Sequence, residues 1–122
     1  MNNVFKGNLY YADLEPVIGS EQGGIRPVLV VSNNIGNRYS STVIIAPLTS
    51  RVESKMELPT HIFIKSFDKI KVDSIILVEQ VRVVDKQRLK SFLGKLPPNQ
   101  LIEVDKSLIV AFGMKENWED YL

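Results

Sequence analysis

Apolar positions along the chain alternate with polar ones over short stretches, and only near the C-terminus do they recur at helical spacing. The stretch from Asn8 to Leu14, with Leu9, Tyr10 and Tyr11, predicts a first strand. Arg26-Pro27 opens Val28-Leu29-Val30-Val31, an unbroken apolar run that reads as a strand buried on both faces. Between these two lies a loop in which Gly19, Gly23 and Gly24 flank polar Ser20, Glu21 and Gln22, a composition that permits unusual backbone angles. Asn33, Asn34, Gly36 and Asn37 end the second strand through a helical turn. Thr42 to Leu48 predicts a third strand, with Thr49-Ser50-Arg51 where it ends. Thr60 to Lys65 alternates, with Ile62 and Ile64 on one face and His61, Phe63 and Lys65 on the other.

Ser74 to Val84 is long, and Glu79-Gln80 divides it into one bent strand or two consecutive ones. Asp85 is the expected N-cap of a short helix through Leu93. Pro97 and Pro98 suit a helix's first turn, and Leu101, Val104, Leu108, Ala111 and Phe112 then recur at spacings of three and four. This predicts one amphipathic C-terminal helix, with Glu103, Asp105 and Lys106 toward solvent and Gly113 as its stop. The tail KENWEDYL, residues 115–122, reads as mobile. Several short strands followed by a helix predict a mainly β fold, a small barrel-like sheet whose closure protects its edges. A chain of 122 residues fits a single domain, 1–122.

Composition sharpens this picture. There are 14 Val and 12 Ile against 3 Ala, a balance that favours pleated sheet. The net charge is +1, so no global field draws in a polyanion and any nucleic-acid affinity must come from local arrangement. No apolar run approaches the roughly 18 residues of a bilayer span, and the first residues lack the charged and apolar segments of an export signal, so the expectation is a cytoplasmic protein with no membrane partner. Zero cysteines exclude disulfides and thiol nucleophiles, and the single histidine, His61, excludes a pair of imidazoles. Without HExxH, DxD or a histidine pair, no metal and no cofactor are expected. Gly23-Gly24 leads to Ile25-Arg26-Pro27 rather than to the Lys-Ser/Thr of a nucleotide-binding loop.

What chemistry is present lies in GSEQGGIRP, Gly19 to Pro27, where Arg26 stands at the start of a rigid strand beside flexible backbone. A guanidinium fork in that position suits a phosphate; it equally suits an ordinary hairpin whose arginine pairs with a carboxylate. Thr49 could converge on the same rim or simply cap its strand. Glu79-Gln80 sits inside an apolar run and needs partners, which Arg82 or Arg26 could supply. His61 reads as a strand residue facing solvent or filling a partial gap.

Taken together, GNLYYADLEPVIGSEQGGIRPVLVVSNNIGN (Gly7 to Asn37), APLTS (Ala46 to Ser50), LPTHI (Leu58 to Ile62) and ILVEQVRVVDKQRL (Ile76 to Leu89) resemble the MazF/PemK toxins, above all the chromosomal ones of Gram-positive bacteria. The resemblance implies a homodimer of small SH3-like β-barrels with short helices. It implies metal-independent, sequence-specific cleavage of single-stranded messenger RNA that leaves a 2′,3′-cyclic phosphate and a 5′-hydroxyl and halts translation and growth. A cognate MazE-like antitoxin would cover the RNA groove, and contact with DNA would come only through that antitoxin. By position, the family's catalytic arginine falls on Arg26 and its catalytic threonine on Thr49. Its RNA-contacting loop falls on Ser20, Glu21, Gln22, Gly23 and Gly24, with Ser50 and Gln80 completing the RNA-binding set. Glu79 takes a supporting catalytic role, either orienting Arg26 or helping to move a proton. The chain departs from relatives at Ser20, where some carry a histidine, and at Asn8 and Ser32, where an acidic residue and a glutamine are usual.

Attack of a ribose 2′-hydroxyl on its own phosphate is intramolecular, so such an enzyme chiefly aligns oxygens and stabilises charge, work that suits Arg26 and Thr49. Arginine holds its proton far above neutral pH and so makes a poor base, which assigns Arg26 to the phosphate and the leaving oxygen and leaves the base open. The alternative is a non-catalytic gyrase poison of the CcdB type on the same fold, suggested by Trp118 near the end of the chain.

Overall fold

A computed structural model describes residues 3–52 and 58–114. Seven strands and two helices follow one another as β1 (Asn8–Asp13), β2 (Ile25–Val30), α1 (Asn34–Tyr39), β3 (Thr42–Thr49), β4 (His61–Ile64), β5 (Ser74–Leu77), β6 (Arg82–Asp85), β7 (Leu89–Lys95) and α2 (Pro98–Ala111). A 3-10 turn, Val78–Gln80, separates β5 from β6, so the long apolar stretch resolves into two strands. No helix among the described residues is long and apolar enough to cross a membrane.

β3 organises the sheet. One edge pairs with β2 (Val28↔Pro47, Leu29↔Ala46, Val30↔Ile45). Its other edge changes partner along its length: Thr42 to Ile45 pair with β6, and Leu48 and Thr49 pair with β5. The change falls at Ala46 and Pro47, opposite the 3-10 turn. Pro47 has no N–H to offer a ladder, so it costs least where the ladder is interrupted.

Alternation along β2 and β3 sends Leu29, Val31, Ala46 and Leu48 into one core and Val28, Val30, Val43 and Ile45 into the other. The continuous apolar run of β2 therefore reflects burial on both faces. α2 closes the first core with buried Val104, while Leu101, Leu108 and Ala111 pack against it and Ser107 Oγ donates to the Pro59 carbonyl at 2.9 Å.

The sheet path runs β4-β5-β3-β2-β1-β7 with antiparallel pairing throughout, and among the described residues no pairing joins its two ends. Two expectations are corrected. Asp85 caps as expected, accepting from Gln87 N at 2.8 Å, but the helix stops after the single turn Lys86–Arg88 and Leu89–Lys95 is a strand on β1. Register shifts between β1 and β7 turn Leu89 into one core and Leu93 into the other, an arrangement that no helical face could produce. Phe112 is 60% exposed, because it lies in the turn beyond α2 rather than on its apolar stripe. Asp105 lies toward solvent as expected, its side chain 47% exposed, and there pairs with Lys6 Nζ at 2.7 Å. The tail 115–122, with Trp118, lies outside the described residues.

Candidate active site

The loop between β1 and β2 is held by its own side chains. Leu14 N donates to the Gly24 carbonyl at 3.0 Å, Gly24 N to Glu15 Oε2 at 2.5 Å and Ile18 N to Glu21 Oε1 at 2.6 Å. A Cβ on Gly23 would meet Glu15 Oε2 and Val17 Cγ2, so a larger residue there requires both side chains to move and disturbs the Glu15 contact to Gly24 N.

Arg26 is anchored by backbone. Its Nε donates to the Gly23 carbonyl at 2.7 Å and its Nη1 to the Leu48 carbonyl at 3.0 Å, which ties the loop, β2 and β3 together through one guanidinium. Continuing the β2–β3 register two residues beyond Val28↔Pro47 brings Arg26 opposite Thr49. Both residues line a cavity of about 400 Å³, with Ser50, Arg51, Lys71 and Tyr11. Burial, and then the charge of Arg51, hold the Arg26 guanidinium below the usual arginine range and make it a readier proton donor than a solvated arginine. Thr49 Oγ1 accepts from Arg51 N at 3.2 Å, an arrangement that spends a lone pair and leaves its own O–H to donate.

A second cleft, of about 570 Å³, lies on the other side of the loop and is lined by Ser20, Glu21, Gln22, Glu79, Gln80 and Arg82. Gln22 N donates to Gln80 Oε1 at 2.9 Å, which fastens the loop to the 3-10 turn. The ten residues expected at the site thus divide. Arg26, Thr49 and Ser50 share the first cavity, Ser20, Glu21, Gln22, Glu79 and Gln80 share the second, and Gly23 and Gly24 occupy the strip of loop leading to Arg26.

The partners expected for Glu79 and Gln80 are corrected. Arg82 Nη1 donates to the Leu14 carbonyl at 3.0 Å, and the described bonds of Arg26 go to carbonyls. Glu79 instead accepts from Thr60 Oγ1 at 3.1 Å through Oε1 and is hydrogen-bonded to His61 Nε2 at 2.8 Å through Oε2. His61, expected to face solvent or fill a gap, has a side chain only 4% exposed and acts as the clamp on Glu79. Strand register brings the two together, since His61 pairs with Leu77, two residues before Glu79, and nothing in the sequence announces that register. Arg51 and Lys71 were also missed, because neither stands in a motif.

Residues 5–112 match the family described as PemK-like, MazF-like toxin of type II toxin-antitoxin system. The chain is 48% identical over 112 residues to the Endoribonuclease MazF of Staphylococcus epidermidis, covering 91% of this chain and 92% of that protein. Among solved structures, it is similar to MazF from Deinococcus radiodurans (TM-score 0.80, 28% identity, 93% of this chain and 100% of that one). It is also similar to the MazE-MazF structure from the same organism (TM-score 0.74, 26% identity, 94% and 100%). These matches do not favour the gyrase-poison alternative.

Proposed function

The chain belongs to the PemK-like, MazF-like family of toxins of type II toxin-antitoxin systems, and from that premise we propose that it is a toxin that cuts single-stranded messenger RNA at short sequences without a metal ion. The observation that carries this reading is the convergence of Arg26 and Thr49 on one cavity, with the guanidinium held by two carbonyls. The 2′-hydroxyl of the ribose on the 5′ side gives its proton to solvent water, from which Arg26 is later reprotonated, and attacks the adjacent phosphorus. The P–O5′ bond breaks as the P–O2′ bond forms, giving a 2′,3′-cyclic phosphate and a 5′-hydroxyl that takes up a proton. In this reading Arg26 neutralises the phosphoryl oxygens and supplies that proton, and the Thr49 hydroxyl donates to the same group.

In this reading residues 1–122 are one toxin domain whose coiled sheet corresponds to the family's SH3-like barrel, and two copies pair to form the RNA groove. Ser20, Glu21, Gln22, Gly23, Gly24, Ser50 and Gln80 contact RNA. Because the described bonds of Glu79 go to Thr60 and His61, its supporting role is exerted in the second cleft rather than on Arg26. A MazE-like antitoxin bears acidic and apolar side chains that fold into the groove and exclude RNA.

A substrate with a single 2′-deoxy ribose at the cut tests the nucleophile, since phosphate and bases remain. Cleavage of the all-ribose control in EDTA, and none of the deoxy substrate, is expected. Cutting of the deoxy substrate at the same bond, or loss of control cleavage in EDTA, would overturn the reading.

A further inference from the structure

β1 ends at Asp13, where the chain leaves the sheet and its main-chain carbonyls need partners outside the ladder. Two arginines meet three of these carbonyls in succession. Arg88, which closes the 3-10 turn before β7, donates through Nη1 to the Asp13 carbonyl at 3.0 Å and also to the Glu15 carbonyl. Arg82, in β6, donates through Nη1 to the Leu14 carbonyl between them at 3.0 Å. The described bonds of both guanidinium groups thus go to the base of one loop. A nitrogen that carries two N–H bonds and meets two carbonyls also fixes where those carbonyls lie relative to each other.

The clamped residues hold the far end of the loop in turn. Glu15 Oε2 accepts from Gly24 N at 2.5 Å, and Leu14 N donates to the Gly24 carbonyl at 3.0 Å, so Gly24 is gripped at both its polar groups. The residue before it, Gly23, offers the carbonyl that accepts from Arg26 Nε at 2.7 Å. The other described acceptor of Arg26, the Leu48 carbonyl, belongs to β3 and is set by the sheet. Two fixed acceptors define the plane of a guanidinium, and here only one of them is fixed by strand pairing. Gly23 and Gly24 have no side chains to anchor them, and Gly24 adopts a positive φ of 74° that other residues rarely take. The second acceptor therefore lies where Glu15 and Leu14 hold it.

Resting on the function proposed above, we propose that Arg82 and Arg88 are positioning residues of the reaction: by clamping the carbonyls of Asp13, Leu14 and Glu15 they set the Gly23 carbonyl, through Glu15 and Gly24, and with it the aim of the Arg26 guanidinium at the phosphate being cut. A guanidinium aimed wrongly keeps its charge, so RNA is still attracted and the loss falls on the saturated rate rather than on binding. An effect exerted only through Arg26 also disappears once Arg26 is gone.

The test uses the full chain and a short all-ribose RNA bearing a mapped cut site. Arg88→Met and Arg82→Met keep the aliphatic chain and remove the donors. Each is expected to lower the single-turnover rate at saturating enzyme about tenfold, while the concentration giving half that rate stays within about twofold. Glu15→Ala breaks the relay without touching either arginine and is expected to act alike, with Glu15→Gln, which keeps an acceptor oxygen, restoring the rate. Should an arginine variant fail to fold, Glu15→Ala carries every readout. In an Arg26→Ala background none of these changes is expected to slow cleavage further; a loss there as large as in the wild type overturns the proposal, since a merely structural role adds to any other. Without RNA, the side-chain Nε–H resonance of Arg26, assigned by its absence from Arg26→Ala, is expected to shift and to exchange faster with water in Arg88→Met and Glu15→Ala. A resonance unmoved in both overturns the relay. If the wild type cuts no RNA, the proposed function fails and the positioning role with it; if the wild type cuts and rate or resonance does not change, only the positioning role fails.

Discussion

The clefts on either side of the β1–β2 loop differ in charge and in what holds them. The Arg26 cleft offers three cations with no carboxylate among its described lining residues, and its central guanidinium is fixed by main-chain carbonyls. The Glu79 cleft offers two carboxylates and two side-chain amides, and its one arginine, Arg82, donates to a main-chain carbonyl. Glu79 is there held by side chains, Thr60 and His61. Cations recognise the phosphate backbone, which is the same at every nucleotide, whereas amides and carboxylates match the hydrogen-bonding edges of unstacked bases. On the proposed function, one loop separates a place for chemistry from a place for selection, and Gln22, fastened to Gln80, links the two.

Removing the catalytic groups presses hardest on this division. Arg26→Ala and Thr49→Ala should each lower the single-turnover rate at saturating enzyme by roughly a hundredfold or more, on every cleavable sequence alike. If the loss varied strongly with the bases around the cut, the first cleft would be reading sequence and the comparison would collapse.

Next in size is the choice of site. Glu79→Gln keeps the shape and removes the charge, and Gln80→Ala removes an amide; each should cost about 1–3 kcal/mol of discrimination at one base position. Sequencing the 5′-hydroxyl ends released from messenger RNA reads this directly, as a relaxed base preference with cutting retained. Unaltered preferences and rates would reduce Glu79 to a structural residue.

His61→Ala should act on stability and on the same base preference together, because it takes one of the two side chains that clamp Glu79. A destabilisation of about 1–3 kcal/mol is expected from the lost buried partner, measured by denaturant unfolding, with the preference shifting as it does for Glu79→Gln. A stability loss without any change in preference would separate the clamp from selection.

The smallest effect concerns the link itself. Gln80→Ala frees Gln22 N and should lower its protection from amide exchange by about 1 kcal/mol, without loss of global stability. Unchanged exchange there would mean that the two clefts are not joined through this bond.

Much of the site was legible one residue at a time. Gly19, Gly23 and Gly24 announced a loop, Arg26 a charge at the head of a buried strand, and Thr49 the end of another. Glu79-Gln80 announced the break between β5 and β6. The β7 strand was not legible, since Asp85 and the leucines that follow it suit a helix locally, and only pairing with β1 and its register shifts decided otherwise.

Local chemistry explains what the sequence alone determined: strand runs, caps and turns depend on neighbours a few residues apart, and the motifs around Arg26 and Thr49 carried the family with them. Tertiary structure decided which polar groups meet. Gln22 and Gln80 lie 58 residues apart and His61 and Glu79 lie 18 apart, while Arg51 and Lys71 reach the Arg26 cavity from different connections. Such meetings leave no period or spacing in the chain, because they are set by strand order and register, which a side chain's own neighbours do not encode.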